Sequence, residues 1–220
     1  MYNEKRVIVS MTSWPKRIGN VAKTIYSLYN QTHKPDSIEL NLSIEEFPNK
    51  ECDLPETLQT LIVNDVVIIN WVQRNTKTFK KMVPVLQKYF GEDYYVLTVD
   101  DDLLYSSDYI ECMLKKIDDA DSYCYYASPV IGNAMIYRSK IFEPECWEKI
   151  TEDLIETGVS DTYLTYYLKY RNAKMKYGYD PIMLKKQKLF NECFPLHDHY
   201  RLEGRIQKAE QISKKIWGFV

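Results

Sequence analysis

Tyr94-Tyr95-Val96-Leu97-Thr98-Val99-Asp100-Asp101-Asp102 sets an apolar run directly against three consecutive carboxylates. Six residues dominated by β-branched and aromatic side chains predict a strand. The acidic run then falls at its carboxyl end, the place where open α/β sheets bind ligands. Carboxylates held together there repel one another, and a divalent cation relieves the repulsion. Mg²⁺ and Mn²⁺ take oxygen ligands and keep positions open for a substrate diphosphate. The competing reading is a solvated acidic turn that caps the next helix.

Reading outward from this element, the chain alternates. Arg6-Val7-Ile8-Val9-Ser10-Met11 predicts a first strand buried on both faces, stopped by Thr12-Ser13-Trp14-Pro15, because Pro15 cannot continue a ladder. A helix is expected over residues 20–29, with Val21, Ile25 and Leu28 on one face and Asn20 as its cap. Ser37-Ile38-Glu39-Leu40-Asn41-Leu42 predicts a second strand. A short helix follows Pro55, and Val66-Val67-Ile68-Ile69-Asn70-Trp71-Val72 predicts a third strand. Residues 78–90 carry a helical pattern that Pro84 must kink or begin. A helix over 108–117 follows the acidic run. This order of strands and helices predicts a mostly parallel sheet flanked by helices. The second half is less regular: strands are expected at 123–130 and 134–137, a helix at 162–169 and a basic amphipathic segment at 204–217.

Composition limits the classes of function. A chain of 220 residues suffices for one substantial core, so a single domain over 1–220 is expected. Its 45% hydrophobic and 27% charged residues exclude wholesale disorder. A formal net charge of -2 gives no long-range attraction to nucleic acid, and no nucleic-acid partner is expected. The five cysteines are dispersed without a CxxC pair, which points to free thiols in a reducing compartment. The charged start at Met1 to Arg6 is followed by no signal-peptide core, and no apolar run spans a bilayer, so a cytoplasmic location is expected. Residues 204–217 set Ile206, Ala209, Ile212, Ile216 and Trp217 against Arg205, Lys208, Lys214 and Lys215. Such a helix either docks on its own domain or rests peripherally on an anionic membrane surface.

Four segments, in order, resemble GT-A glycosyltransferases of the family 2-like kind with a DXD motif. They are Val9-Ser10-Met11-Thr12-Ser13-Trp14-Pro15-Lys16-Arg17-Ile18; Ser27-Leu28-Tyr29-Asn30-Gln31-Thr32-His33-Lys34-Pro35-Asp36; Phe79-Lys80-Lys81-Met82-Val83-Pro84; and Thr98-Val99-Asp100-Asp101-Asp102-Leu103-Leu104-Tyr105. The resemblance implies a Rossmann-like nucleotide-binding half over 1–105 and an irregular acceptor-binding half over 106–220. It implies a metal-dependent, inverting transfer from a nucleotide-sugar donor, with UDP as the expected nucleotide, to a glycan or lipid-linked acceptor.

The same resemblance assigns roles by position. Thr12, Ser13 and Arg17 would contact the nucleotide, although a strand-ending turn with a solvated arginine reads equally well. Lys80 and Lys81 would lie near the donor diphosphate, one of them simply a solvated helix residue. Asp100 and Asp101 would face the donor. Asp102, with Asp100, would ligate Mn²⁺ or Mg²⁺, and His197 or His199 would add a late ligand or else be ordinary loop residues. Asp161, in Ser160-Asp161-Thr162-Tyr163, would act as general base; its competing role is to favour a helix start. The family's acidic residue after the second strand falls near Asn41-Leu42-Ser43, where no acid stands. Gly132-Asn133-Ala134 would let the backbone approach the sugar, and a simple turn before a strand reads equally well. Trp14, Tyr105 and Trp147 are candidates for stacking, or ordinary core aromatics.

Two rivals remain open. Nucleotidyl transfer would show a glycine-rich loop after the first strand, and Thr12-Ser13-Trp14-Pro15 is not one. A non-catalytic carbohydrate-binding protein would bind sugar without nucleotide or metal.

Overall fold

The computed structural model describes residues 6–124, 135–178, 187–188 and 203–219. Its centre is a seven-stranded sheet. The first four strands are β1 (Arg6–Thr12), β2 (Ser37–Ser43), β3 (Ile68–Val72) and β4 (Tyr94–Thr98). A short β5 (Leu103–Leu104) lies outside the sheet. The sheet is completed by β6 (Ser122–Cys124), β7 (Met135–Arg138) and β8 (Met175–Tyr177), in the order β3-β2-β1-β4-β7-β6-β8. β1 pairs in parallel with both β2 and β4, and β2 pairs in parallel with β3. β7 runs antiparallel to β4 and β6, while β8 is parallel to β6. β5 pairs separately with β9 (Gln187–Lys188).

Alternation along β1 divides two cores. Val7, Val9 and Met11 face one, and Ile8 faces the other. The first core is closed by α1 (Val21–Tyr29), α2 (Glu56–Val63) and α4 (Tyr109–Ile117), which supply Ile25, Leu28, Leu58, Leu61, Ile110 and Ile117. The second is closed by α3 (Val83–Lys88), α6 (Glu152–Thr157), α7 (Ser160–Tyr170) and α8 (Arg205–Trp217). A one-turn α5 (Glu145–Glu148) adds Cys146 to this second core. Much of the tyrosine content is structural here. The Tyr163 hydroxyl donates to the Cys146 carbonyl at 2.7 Å, and the Tyr167 hydroxyl donates to that of Ile141 at 3.0 Å. Tyr167 also stacks on Phe142 and meets Trp217 edge-on. α8 docks on this layer by burying Ala209, Ser213 and Trp217. Among the described residues, no helix is long and apolar enough to cross a membrane.

Several boundaries differ from expectation for identifiable reasons. Asn20 does not cap α1 through its side chain; a 3₁₀ turn, Ile18–Asn20, leads into the helix instead. β3 begins two residues late, since Val66 N–H is drawn back to the Leu61 carbonyl at 2.9 Å. Residues 78–90 are not one helix. Lys77 at φ 53° opens a 3₁₀ turn over Lys77–Lys81, and α3 starts at Val83 with Pro84 in its first turn, where no N–H is needed. Pro84 therefore marks the helix beginning. The strand expected at 123–130 is described only as far as Cys124.

Candidate active site

Strand order reverses at β1, with β2 on one side and β4 on the other, which opens a crevice beyond the carboxyl ends of β1 and β4. A pocket of about 400 Å³ occupies it. Each of the first four strands contributes from its carboxyl end. Thr12, Ser13, Trp14 and Arg17 follow β1, and Glu46 follows β2. Asn75, Lys77, Thr78, Lys80 and Lys81 follow β3, and Asp100 and Asp101 follow β4; Arg205 completes the lining from the start of α8.

The three carboxylates after β4 have three different environments. Asp101 is 6% exposed, and both its oxygens are taken: Ser13 Oγ donates to Oδ2 at 2.6 Å and Arg17 Nη1 donates to Oδ1 at 3.2 Å. Its carbonyl accepts from Thr24 Oγ1 at 2.9 Å. Asp101 thus stitches the β1 and β4 exits together. Asp100 accepts from Lys81 Nζ at 2.6 Å, and its N–H donates to Tyr105 Oη at 2.9 Å. Asp102 has a 26% exposed side chain and an Arg17 contact at 3.3 Å, and it does not line the pocket itself. Burial, then the neighbouring Asp100 charge, pushes the Asp102 carboxyl above the ordinary range. Burial likewise raises Asp101 against the pull of Ser13 and Arg17.

Lys80 and Lys81 both face inward, correcting the expectation that one is solvated. Lys80 is 2% exposed and bonds to Glu46, whose carboxylate also accepts from Ser43 Oγ at 2.7 Å. Burial lowers the Lys80 ammonium, and Glu46 opposes that shift. Burial works against the charge of Lys81 too, but Asp100, then Asp161 and Asp101, hold it above the ordinary lysine range. A buried polar chain fixes its backbone. Ser10 Oγ donates to the Lys81 carbonyl at 2.6 Å, Asn41 Nδ2 to Ser10 Oγ at 3.0 Å, and Asn70 Nδ2 to Asn41 Oδ1 at 2.9 Å. Asn70 Nδ2 also bonds to the fully buried Glu39.

Asp161 sits in the first turn of α7, near enough to Asp100 and Lys81 for both to act on it. Burial raises its carboxyl, Lys81 opposes and Asp100 reinforces. Thr78 sets this helix against the pocket, donating to the Gly158 carbonyl at 2.9 Å and accepting from Ser160 N–H at 3.2 Å. Gly158, at φ 67°, terminates α6 in the left-handed region that favours glycine.

Of the expected site residues, Thr12, Ser13, Arg17, Lys80, Lys81, Asp100 and Asp101 therefore meet at one pocket. His197, His199 and Gly132-Asn133-Ala134 lie outside the described residues. Tyr105 is buried against Tyr109 and supports the Asp100 backbone, so it is no stacking surface. Trp147 packs edge-on against Phe90, apart from the pocket lining. Trp14 does line it, with its indole N–H buried and without a hydrogen-bond partner. Sequence reasoning missed Glu46, Asn75, Lys77, Thr78 and Arg205. Glu46 had a legible signal: it is an acid three residues past β2, just beyond the stretch searched for one.

No protein-family model matches the chain, and no curated protein sequence matches it. Its fold, however, has solved counterparts. A glucosyl-3-phosphoglycerate synthase from Mycobacterium tuberculosis, in complex with Mn²⁺, UDP and glucosyl-3-phosphoglycerate, superposes with a TM-score of 0.59 at 9% identity over 99% of this chain and 81% of that one. A mannosyltransferase from Pyrobaculum calidifontis, in complex with GDP-Man and Mn²⁺, gives 0.64 at 13% identity over 99% and 69%. S. aureus TarS in complex with UDP gives 0.55 at 14% identity over 97% and 70%. The architecture is the α/β GT-A fold, a mostly parallel sheet flanked by helices.

Proposed function

We propose that this chain transfers a sugar from a nucleoside diphosphate donor, UDP-linked, to the hydroxyl of a glycan or lipid-linked acceptor with inversion. One observation carries the reading. Asp100 and Asp101 leave β4 into a switch-point pocket that also holds Lys81 and Arg17, with Asp161 electrostatically coupled to the same group. The solved counterparts hold UDP or GDP-Man, with Mn²⁺ in two of the three, on the same fold.

The donor chemistry fits Mn²⁺ or Mg²⁺. Among the described residues no cluster of three or more His, Cys, Asp and Glu side chains could hold a metal ion. These ions commonly use one or two carboxylates and complete their shell with water and substrate phosphates. Both oxygens of Asp101 are engaged by Ser13 and Arg17, and Asp100 and Asp102 would hold the cation. Burial, and after it the Asp100 charge, raises the Asp102 carboxyl, and a bound cation would favour its ionised form against both. When bound, the ion would neutralise charge on the departing diphosphate.

The chain's own residues supply the rest. Lys81, kept protonated, and Arg17 offer positive charge to the diphosphate. The acceptor oxygen attacks the anomeric carbon as the bond from that carbon to the phosphate oxygen breaks. The electron pair leaves with the nucleoside diphosphate, and the hydroxyl proton goes to Asp161, whose raised carboxyl makes it a better base than an ordinary aspartate.

Incubation with a panel of nucleotide sugars tests the reading. Release of nucleoside diphosphate that depends on Mn²⁺ or Mg²⁺ and disappears in Asp102→Ala is expected. Pyrophosphate as the product would point to nucleotidyl transfer, and sugar binding independent of nucleotide to a carbohydrate-binding protein.

A further inference from the structure

We infer that Thr78 is a positioning residue for Asp161, holding the base from the same turn that carries the donor lysines. The inference rests on the glycosyl-transfer reading and adds to it a residue that acts through another. Asp161 is the second residue of α7, and Val159, at the N-cap, has no polar side chain to hold that helix start. The hydroxyl of Thr78 takes the place of a cap from a distant part of the chain. It accepts from Ser160 N–H at 3.2 Å and donates to the Gly158 carbonyl at 2.9 Å. A hydroxyl can make both bonds because it is donor and acceptor at once. Ser160 is 5% exposed, so water does not readily replace its bond. The two bonds grip the chain on either side of Val159, immediately before Asp161.

The 3₁₀ turn over Lys77–Lys81 makes this contact a link between donor and base. Lys81 of the turn faces Asp100, and Lys80 faces Glu46. Phe79 meets Tyr163 of α7 edge-on, with ring centroids 5.8 Å apart, and Lys77 Nζ bonds to the Glu156 carboxylate of α6 at 2.9 Å. Ser10 anchors the turn to β1, donating to the Lys81 carbonyl at 2.6 Å. Phe79 and Tyr163 are both buried, and their packing sets how far α7 stands from the turn. Apolar packing is non-directional, however, so it does not aim the helix start. The paired hydrogen bonds of Thr78 are directional, and they fix the course of the first turn and with it the placement of Asp161. A base moved slightly out of line loses rate while the donor still binds.

UDP release from UDP-glucose, UDP-galactose and UDP-N-acetylglucosamine, with Mn²⁺ present and water as acceptor, should be followed in the full chain. The set is the wild type, Thr78→Val, Thr78→Ser, Asp161→Asn and the double variant Thr78→Val/Asp161→Asn. Thr78→Val keeps the shape and loses the hydroxyl; it should lower kcat about tenfold or more, with a smaller fall in affinity for UDP. Thr78→Ser keeps the hydroxyl and should restore most of the rate. In the Asp161→Asn background, Thr78→Val should change the residual rate by less than about twofold, because the group it positions is already gone. A merely structural role would lower the rate by the same factor in both backgrounds, and that result overturns the inference. So does a Thr78→Val variant as active as the wild type, or one whose UDP affinity falls as far as its kcat. Should Thr78→Val fail to fold, Thr78→Ala carries the same comparison; loss of the fold in both makes the hydroxyl a structural group and overturns the inference. No UDP release from the wild type defeats the glycosyl-transfer reading, and wild-type release by Asp161→Asn defeats its choice of base; the inference falls with either.

Discussion

The ion pairs at the pocket floor and at its rim use the same groups in opposite surroundings. At the floor, the side chains of Lys80 and Glu46 are 2% and 16% exposed, and those of Arg17 and Asp101 are 9% and 8% exposed. Around the rim, Lys77 with Glu156 and Arg205 with Glu203 reach solvent, as does Arg74 with Glu152 outside the lining. A buried pair has given up its hydration, so removing one member strands the other; an exposed pair returns both members to water. The floor is therefore a fixed scaffold that sets where Asp100, Asp101 and Lys81 stand, whereas a solvent-exposed pair contributes little to holding its members in place.

The contrast yields a graded series of expected effects. Asp161→Asn should lower kcat by about 10²–10⁴-fold without altering the circular dichroism spectrum. Wild-type kcat should fall as pH drops through the raised carboxyl of Asp161, at a higher pH than an ordinary aspartate would give, because protonation removes the base. That acidic limb should be absent from the residual activity of Asp161→Asn. Next, Lys80→Met strands Glu46 and should destabilise the fold toward the lower end of roughly 3–5 kcal/mol, since Glu46 keeps some contact with solvent. Denaturant unfolding measures it, and an unchanged midpoint would erase the distinction between floor and rim. Ser10→Ala leaves the Lys81 carbonyl without its 2.6 Å donor and should cost about 1–3 kcal/mol, with weaker nucleotide binding as Lys81 shifts. Smallest of all, Glu152→Gln in the exposed pair with Arg74 should leave the melting temperature unchanged, and a clear fall would show that exposed pairs bear structural weight.

The first half of the fold was legible because each strand and helix there is a local pattern. β1 and β4 are apolar runs, Pro15 ends one of them, and Asp100 to Asp102 announce the other's exit. Parallel pairing followed from the alternation of elements. The start of α3 was less clear because the helical spacing of Phe79, Val83 and Leu86 runs through a 3₁₀ turn and a proline. At the site, the residues at the exits of β1 and β4 were legible, whereas Glu46 and Asn75, past β2 and β3, and Arg205, delivered by packing, were not. Arg205 reaches the pocket only because Trp217, Ala209 and Ser213 dock α8 on the aromatic layer. The partnering of Lys80 was hidden for a similar reason: Glu46 arrives from another strand, so no spacing along residues 77–81 reveals it.

Divalent-dependent binding of a nucleoside diphosphate at the carboxyl ends of β1 and β4 is the claim on which the rest stands. Calorimetric titration of UDP into the wild type and Asp102→Ala, each with and without Mn²⁺, tests it most directly. UDP should bind the wild type tightly only when Mn²⁺ is present, and the Asp102→Ala variant should lose that dependence together with the affinity. Equal affinity for UDP with and without the ion, or an Asp102→Ala variant that binds as the wild type does, would contradict it.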